Sequence, residues 1–306
     1  MDGRISTALR IGGGVASATK LLGIGLSRAE LARAVRSGEL VRVRRQSLVD
    51  GQLWREAQPS ERHALRARAV MAGLPRGHTA ALSHHSALAL RGVALFGVDH
   101  RVHLVHLGGG RGRTDAVVAH HRAVPDSLVE THNGIRMVAP AAACLQVAAQ
   151  FGAEAGLVSA DHALHTELIT TGHLEEARRA LAPERWSRAP AQMCRLADAR
   201  IESPAESRTR WALHVLHFRQ PTPQVEIRDG RGLIGRVDFL YEDLKVVIEV
   251  DGRSKYTANR VVFAEKVRED RIRALGYQVV RLVWEDLDDH VLVHRKITAA
   301  VAQAAA

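Results

Sequence analysis

The run Val246-Val247-Ile248-Glu249-Val250-Asp251-Gly252 constrains this chain more than any other part of it. Alternate residues of a strand share a face, so Glu249 and Asp251 point one way while Ile248 and Val250 point the other. A carboxylate set in an apolar run costs free energy unless something pairs with it. A further acid, Asp238, stands between Val237 and Phe239. The tight turn Tyr241-Glu242-Asp243-Leu244 would fold the two runs into a hairpin and bring Asp238 toward Glu249. Several carboxylates around one divalent cation would offset the cost of burying them, and Mg²⁺ prefers oxygen ligands.

The surrounding elements read as α-β-β-β-α-β. Ser203-Pro204-Ala205-Glu206 opens a helix, with Pro early and Glu in the first turn, and the helix runs through Trp211 and Leu216. Strands are expected over residues 224–227, 235–241 and 244–250. A helix over 259–275 follows, ended by Gly276, and then a last strand over 277–283. Eight of the 12 aromatic residues lie after residue 200, as in a compact domain with its own core.

The N-terminal part is different. The 306-residue chain has a net charge of +10, which favours polyanion partners. Residues 1–125 hold 19 Lys and Arg against eight Asp and Glu, whereas the remainder is nearly balanced. Residues 1–14 end in three glycines and read as a flexible lead-in. Residues 15–22 read as a short helix broken by Gly23-Ile24-Gly25. Ser27 with Glu30 has capping-box spacing and starts a second helix with Leu31 and Val35 as its stripe. Leu40-Val41-Arg42-Val43-Arg44-Arg45 alternates apolar and basic residues, as a half-exposed strand does, and turns into Leu48-Val49. Helix, turn, helix and basic hairpin is the order of a winged helix-turn-helix.

Residues 60–200 read as mostly helical, with a strand over 101–107, a partner for it over 116–119, and a hairpin around Asn133-Gly134. Residues 183–190 read as a linker. The 17 histidines include the neighbours His84-His85 and His120-His121 and the pair His162 and His165, all expected to be surface or cap residues. Cys144 and Cys194 stand apart and give neither a disulfide framework nor a zinc site. The glycine-rich stretch 108–114 lacks the Gly-Lys-Ser/Thr ending of a nucleotide loop. No signal peptide or membrane span is expected, and the cytoplasm is the expected compartment.

Asp238, Glu249-Val250-Asp251-Gly252, the Lys/Arg-rich helix and Tyr277-Gln278-Val279-Val280-Arg281 together resemble the PD-(D/E)XK nuclease superfamily, in its Vsr-like (very-short-patch-repair-like) branch. The resemblance covers about residues 200–290. Glu206 matches the acidic position on the first core helix, although it reads equally well as an ordinary N-terminal helix acid. The resemblance implies that Asp238, Glu249 and Asp251 hold Mg²⁺ or Mn²⁺, with Glu206 assisting, and that a metal-activated water hydrolyses a DNA phosphodiester. The lysine of the name motif would stand where this chain has Asp251. An acid there is usual in the Vsr-like branch, where a His a few residues on assists; this chain has Lys255. Lys255 would then face the charge of the pentavalent phosphate or anchor a phosphate. Lys266 and Arg273 on the next helix are candidates for DNA-backbone contacts.

The stretch 23–31, with Gly38-Glu39-Leu40-Val41-Arg42-Val43-Arg44-Arg45, resembles the winged-helix domain of AbiEi-type antitoxins. Ser83-His84-His85-Ser86-Ala87-Leu88 and Gly134-Ile135-Arg136-Met137-Val138-Ala139-Pro140 resemble the middle region of those proteins. Such antitoxins are similar to repressors that bind their own promoter. The DNA contacts implied are Arg28, Arg33 and Arg36 on the second helix and Arg42, Arg44 and Arg45 on the hairpin. Arg is well suited to phosphate and guanine.

These readings give an α+β chain. A winged helix-turn-helix is expected over residues 1–55, a mixed helical AbiEi-like region over 56–185, and an αβββαβ restriction-endonuclease-like domain over 196–306. The leading function is a Mg²⁺-dependent DNA endonuclease brought to DNA by the basic winged helix. The alternative is a non-catalytic DNA-binding regulator of the type IV toxin-antitoxin kind. The expected partners are DNA, a second copy of the chain reading paired half-sites, and a toxin or a defence or repair protein, with no membrane.

Overall fold

A computed structural model describes residues 2–108, 112–181, 188–251 and 259–305, and in 259–265 the backbone alone. Lys255 and most of the expected linker lie outside the described residues. The chain divides into two units, residues 1–159 with 169–191, and residues 160–168 with 192–306. The protein is α+β, with helices beside antiparallel and mixed sheets.

The expected lead-in is a helix instead. α1 (Gly3–Ile11) is capped by Asp2, whose carboxylate accepts from the Arg4 amide at 2.7 Å. Ile5, Ala8 and Leu9 fall at i, i+3, i+4 and form one buried stripe. The expected helix over 15–22 is two elements, β1 (Val15–Ser17) and α2 (Ala18–Gly23), with Ser17 as the N-cap of α2. α3 (Arg28–Arg36) carries the expected capping box: the Glu30 amide donates to Ser27 Oγ at 3.1 Å, and the Ser27 amide to Glu30 Oε2 at 2.6 Å. β2 (Leu40–Arg44) and β3 (Ser47–Asp50) form the basic hairpin. β1 adds to its far side, Val15 opposite Val49, giving the order β1-β3-β2. This is a winged helix-turn-helix, cored by Ile5, Leu9, Leu21, Leu31, Leu40 and Leu48.

α4 (Gly51–Glu56) and α5 (Pro59–Ala72) follow. Ala69 and Leu65 of α5 pack on Val15 and Val49 of the winged-helix sheet. The next strands are β4 (Ala80–Leu82), β5 (Val102–His106), β6 (Val118–His121), β7 (Val129–His132) and β8 (Ile135–Val138). They form one sheet in the order β6-β5-β4-β8-β7. The segments near 101–107 and 116–119 do pair, but in parallel, Val102 beside Val118. Asn133 and Gly134 both have positive φ, as the tight hairpin turn between β7 and β8 requires. β4 is three buried apolar residues with no alternation to reveal them. α6 (His84–Leu90) lies between β4 and β5. α7 (Pro140–Phe151), α8 (Ala153–His165) and α9 (Thr171–Ala180) follow β8, and the division between the units passes through α8.

α10 (Arg188–Leu196) starts inside the span expected to be linker, and the division between the units passes through it as well, the second unit resuming at residue 192. α11 (Pro204–Val215) is capped by Ser203. β9 (Thr222–Asp229), β10 (Gly232–Tyr241), β11 (Val246–Asp251), α12 (Asn259–Ala274) and β12 (Gln278–Val283) complete the expected αβββαβ order. The sheet runs β12-β11-β10-β9; β11 is antiparallel to β10 and parallel to β12. One face, including Phe239, Ile248, Val280 and Leu282, shares a core with Leu213 of α11 and with Val293 and Ile297 of a final helix, α13 (His290–Ala304). The other face, including Leu240 and Val247, packs on Ile272 of α12. No helix among the described residues is long and apolar enough to cross a membrane.

Candidate functional site

Three groups of polar residues stand out. The first is the outer face of the winged helix. Leu31 and Ala34 turn α3 inward, and this leaves Arg28, Arg33 and Arg36 exposed. On the hairpin, Arg42 and Arg45 are exposed, and Arg42 Nη1 donates to the Arg45 carbonyl at 2.6 Å. Arg44 is half-buried and pairs with Asp115 at 2.7 Å. Five of the six arginines therefore keep an exposed guanidinium, whose planar fork suits phosphate oxygens and guanine edges.

The second group is a row of polar residues across the sheet of the second unit. Gln224 of β9 lies opposite Asp238 of β10, bracketed by the pairs Val225–Val237 and Pro223–Phe239. Asp238 and Glu249 each stand one residue beyond the pair Phe239–Ile248, and Glu249 is beside Arg281 of β12. Glu206 joins the row from α11: it is buried, and its Oε2 accepts from Gln224 Nε2 at 2.8 Å and from the Glu202 amide at 3.2 Å. The fold thus brings Glu206, Asp238 and Glu249 to one row, with Asp251 two residues further along β11.

These carboxylates have protein partners. Asp238 Oδ2 accepts from the Val250 amide at 2.7 Å, and Glu249 Oε1 from Arg268 of α12 at 2.9 Å. Gly235 allows the second contact, because a Cβ there would sit 2.5 Å from Arg268 Nε. Arg281 lies 3.6 Å from Asp251 and 3.0 Å from Glu269. Lys266 is exposed, whereas Arg273 is committed to Glu269 at 2.8 Å. Glu269 is held below the usual carboxylate range by Arg273 and Arg281 against the opposing effect of its own burial. Sequence reasoning missed Arg268 and Glu269, which come from the crossover helix.

The third group overturns an expectation. His84, His85 and His103 are buried, not surface residues, and so is His63. His103 Nδ1 lies 2.8 Å from His121 Nε2, and its Nε2 lies 2.8 Å from Asp99 Oδ1. The His84 ring is 4.0 Å from that of His121 and 5.3 Å from that of His103. Burial pushes all five histidines, His63, His84, His85, His103 and His121, below the ordinary imidazole value, His121 to about 4. His120 faces the other way and lies 2.6 Å from His106. Strand alternation predicts that division once β6 is known to run to His121.

Residues 54–196 match the family model of the AbiEi antitoxin C-terminal domain. The chain is also similar to two uncharacterized proteins of Mycobacterium tuberculosis, Rv2248 of strain H37Rv and MT2308 of strain CDC 1551. Each is 25% identical over 198 residues, which are 63% of this chain and 72% of the relative. The match to 54–196 covers the helices and sheet that follow the winged helix, including the histidine group.

Proposed function

We propose that the protein is a DNA-binding regulator of the antitoxin type, with the winged helix as its DNA-reading element. The observation that carries this is the exposed arginine face on α3 and the β2–β3 hairpin, directly ahead of the segment that matches the antitoxin domain. α3 would enter the major groove and the hairpin would lie along the backbone. A second copy of the chain, reading the other half-site, and a cognate toxin are the protein partners of this reading. The test is fluorescence anisotropy on duplex DNA from upstream of its own coding sequence, against unrelated duplex, over a salt series. Specific binding whose log affinity falls linearly with log salt supports the reading. Equal, weak affinity for both duplexes overturns it.

A metal-dependent DNA endonuclease is the second reading, favoured by the row of Glu206, Asp238 and Glu249 in an αβββαβ unit. Asp238, Glu249 and Asp251 offer the oxygen donors that Mg²⁺ or Mn²⁺ takes. The bound ion would supply an activated water. As placed, Glu249 Oε1 is ion-paired with Arg268, so a cation would share the carboxylate with that guanidinium or displace it. The regulator reading is preferred because residues 54–196 match an antitoxin domain.

A further inference from the structure

We infer that His84, His103 and His121 form a binding site for a divalent transition metal of the zinc type, with Asp99 holding His103 in position. One ligand atom from each histidine lies within 4.8 Å of the others, and this is the one such set of three His, Cys, Asp or Glu side chains among the described residues. Three separate elements supply it: the start of α6, the middle of β5 and the end of β6.

Asp99 determines what His103 can offer. Its carboxylate accepts the proton of His103 Nε2 at 2.8 Å. In the neutral imidazole this leaves Nδ1 as a lone pair, directed at His121 Nε2 2.8 Å away. A carboxylate behind an imidazole is the usual way in which a metal-ligating histidine is oriented and made more basic. Ligand nitrogens about 2.0–2.1 Å from a tetrahedral ion lie roughly 3.3 Å apart, so the His103–His121 pair, 2.8 Å apart, would widen by about half an ångström while His84 closes in from within 4.8 Å. His84 is placed by an unusual backbone, φ +49°. Its Nδ1 lies 3.0 Å from Ser83 Oγ, and its amide donates to Gln146 at 3.2 Å. The Phe151 ring stands edge-on to His103 at 5.4 Å and gives the group an apolar wall.

Three imidazoles select Zn²⁺, Co²⁺, Ni²⁺ or Cu²⁺ over Mg²⁺ or Ca²⁺. His84 and His103 are buried while His121 is half-buried, so a fourth ligand such as water would enter from the His121 side. The proposal does not depend on the DNA-binding reading. The pair His106 and His120 on the opposite face offers two nitrogens and is an internal control.

The test uses full-length protein without a polyhistidine tag, stripped with EDTA and titrated with Co²⁺ and then Zn²⁺. The expected result is one equivalent bound, with the visible absorption of four-coordinate Co²⁺, which Zn²⁺ removes. His121→Gln abolishes the absorption, and His120→Gln retains it. Asp99→Asn weakens affinity about 10- to 100-fold. A folded wild-type protein that binds no equivalent overturns the site, as does an equivalent that survives in His121→Gln. If circular dichroism shows that His121→Gln does not fold, Asp99→Asn decides, and unchanged affinity there overturns the proposal.

Discussion

His63 is 3% exposed, and its Nε2 is 2.9 Å from Ser86 Oγ. Burial first, and then the nearby His85 and His103, hold it down at about 3, and His85 is held at about 4. The unfolded chain takes up these protons near pH 6.5. Above that pH both states are neutral and the stability is fully present. As pH falls from 6.5 toward 3, the unfolded state gains protons that the folded state refuses, and stability is lost. Each such group contributes a slope of about 1.4 kcal/mol per pH unit inside its window. We expect hydrogen-exchange protection of the β5 amides, measured with EDTA present and corrected for intrinsic rate, to weaken from pH 6.5 to 5. His63→Gln should shallow that slope by one group's share. An unchanged slope would show that His63 is already protonated in the folded state. Composition hides all of this: a histidine count does not say which rings share an interior, because that is set by the pairing of β5 with β6 and by the entry of α6.

At the scale of the element, the code that is local was legible and the code that is shared was not. The start of α3 was readable because Ser27 and Glu30 satisfy each other's backbone within four residues. The hairpin of β10 and β11, and with it the approach of Asp238 to Glu249, was readable for the same reason. β1 reads as helix from sequence because Val15–Ser17 becomes a strand only through β3, thirty or more residues away. Arg268 was missed because its contact with Glu249 depends on how α12 crosses the sheet and on the space above Gly235. The capping box itself is testable. Ser27→Ala removes one half of it and should cost about 1 kcal/mol. That is a Tm lower by roughly 2–4 °C in a unit of this size, read by calorimetry. If α3 reads DNA, specific binding should weaken with it. Arg33→Ala and Arg36→Ala should each reduce the salt slope by about one with little change in Tm, since both side chains are exposed. A salt slope equal to wild type in both variants would remove α3 from the interface.

For the whole molecule, charge and chemistry lie in different parts of the chain. Nearly all the net charge of +10 belongs to residues 1–125, whereas the strand acids belong to the second unit, in a part of the chain that is close to neutral. A nuclease needs those acids to be available to a cation and a phosphate. The bonds observed commit Glu249 to Arg268 and Glu206 to Gln224, and α12 supplies Glu269 to Arg281. We prefer the regulator reading because residues 54–196 match an antitoxin domain, whereas an ion-paired row of acids also serves a purely structural role in a sheet. Supercoiled plasmid incubated with the full chain, in Mg²⁺, Mn²⁺ or EDTA, should therefore be bound in all three and cut in none. Glu249→Gln should leave DNA affinity unchanged. It should lower stability by about 1–3 kcal/mol, because Arg268 loses its charged partner while 22% exposed. Nicking that requires the metal and disappears in Glu249→Gln would reverse the preference.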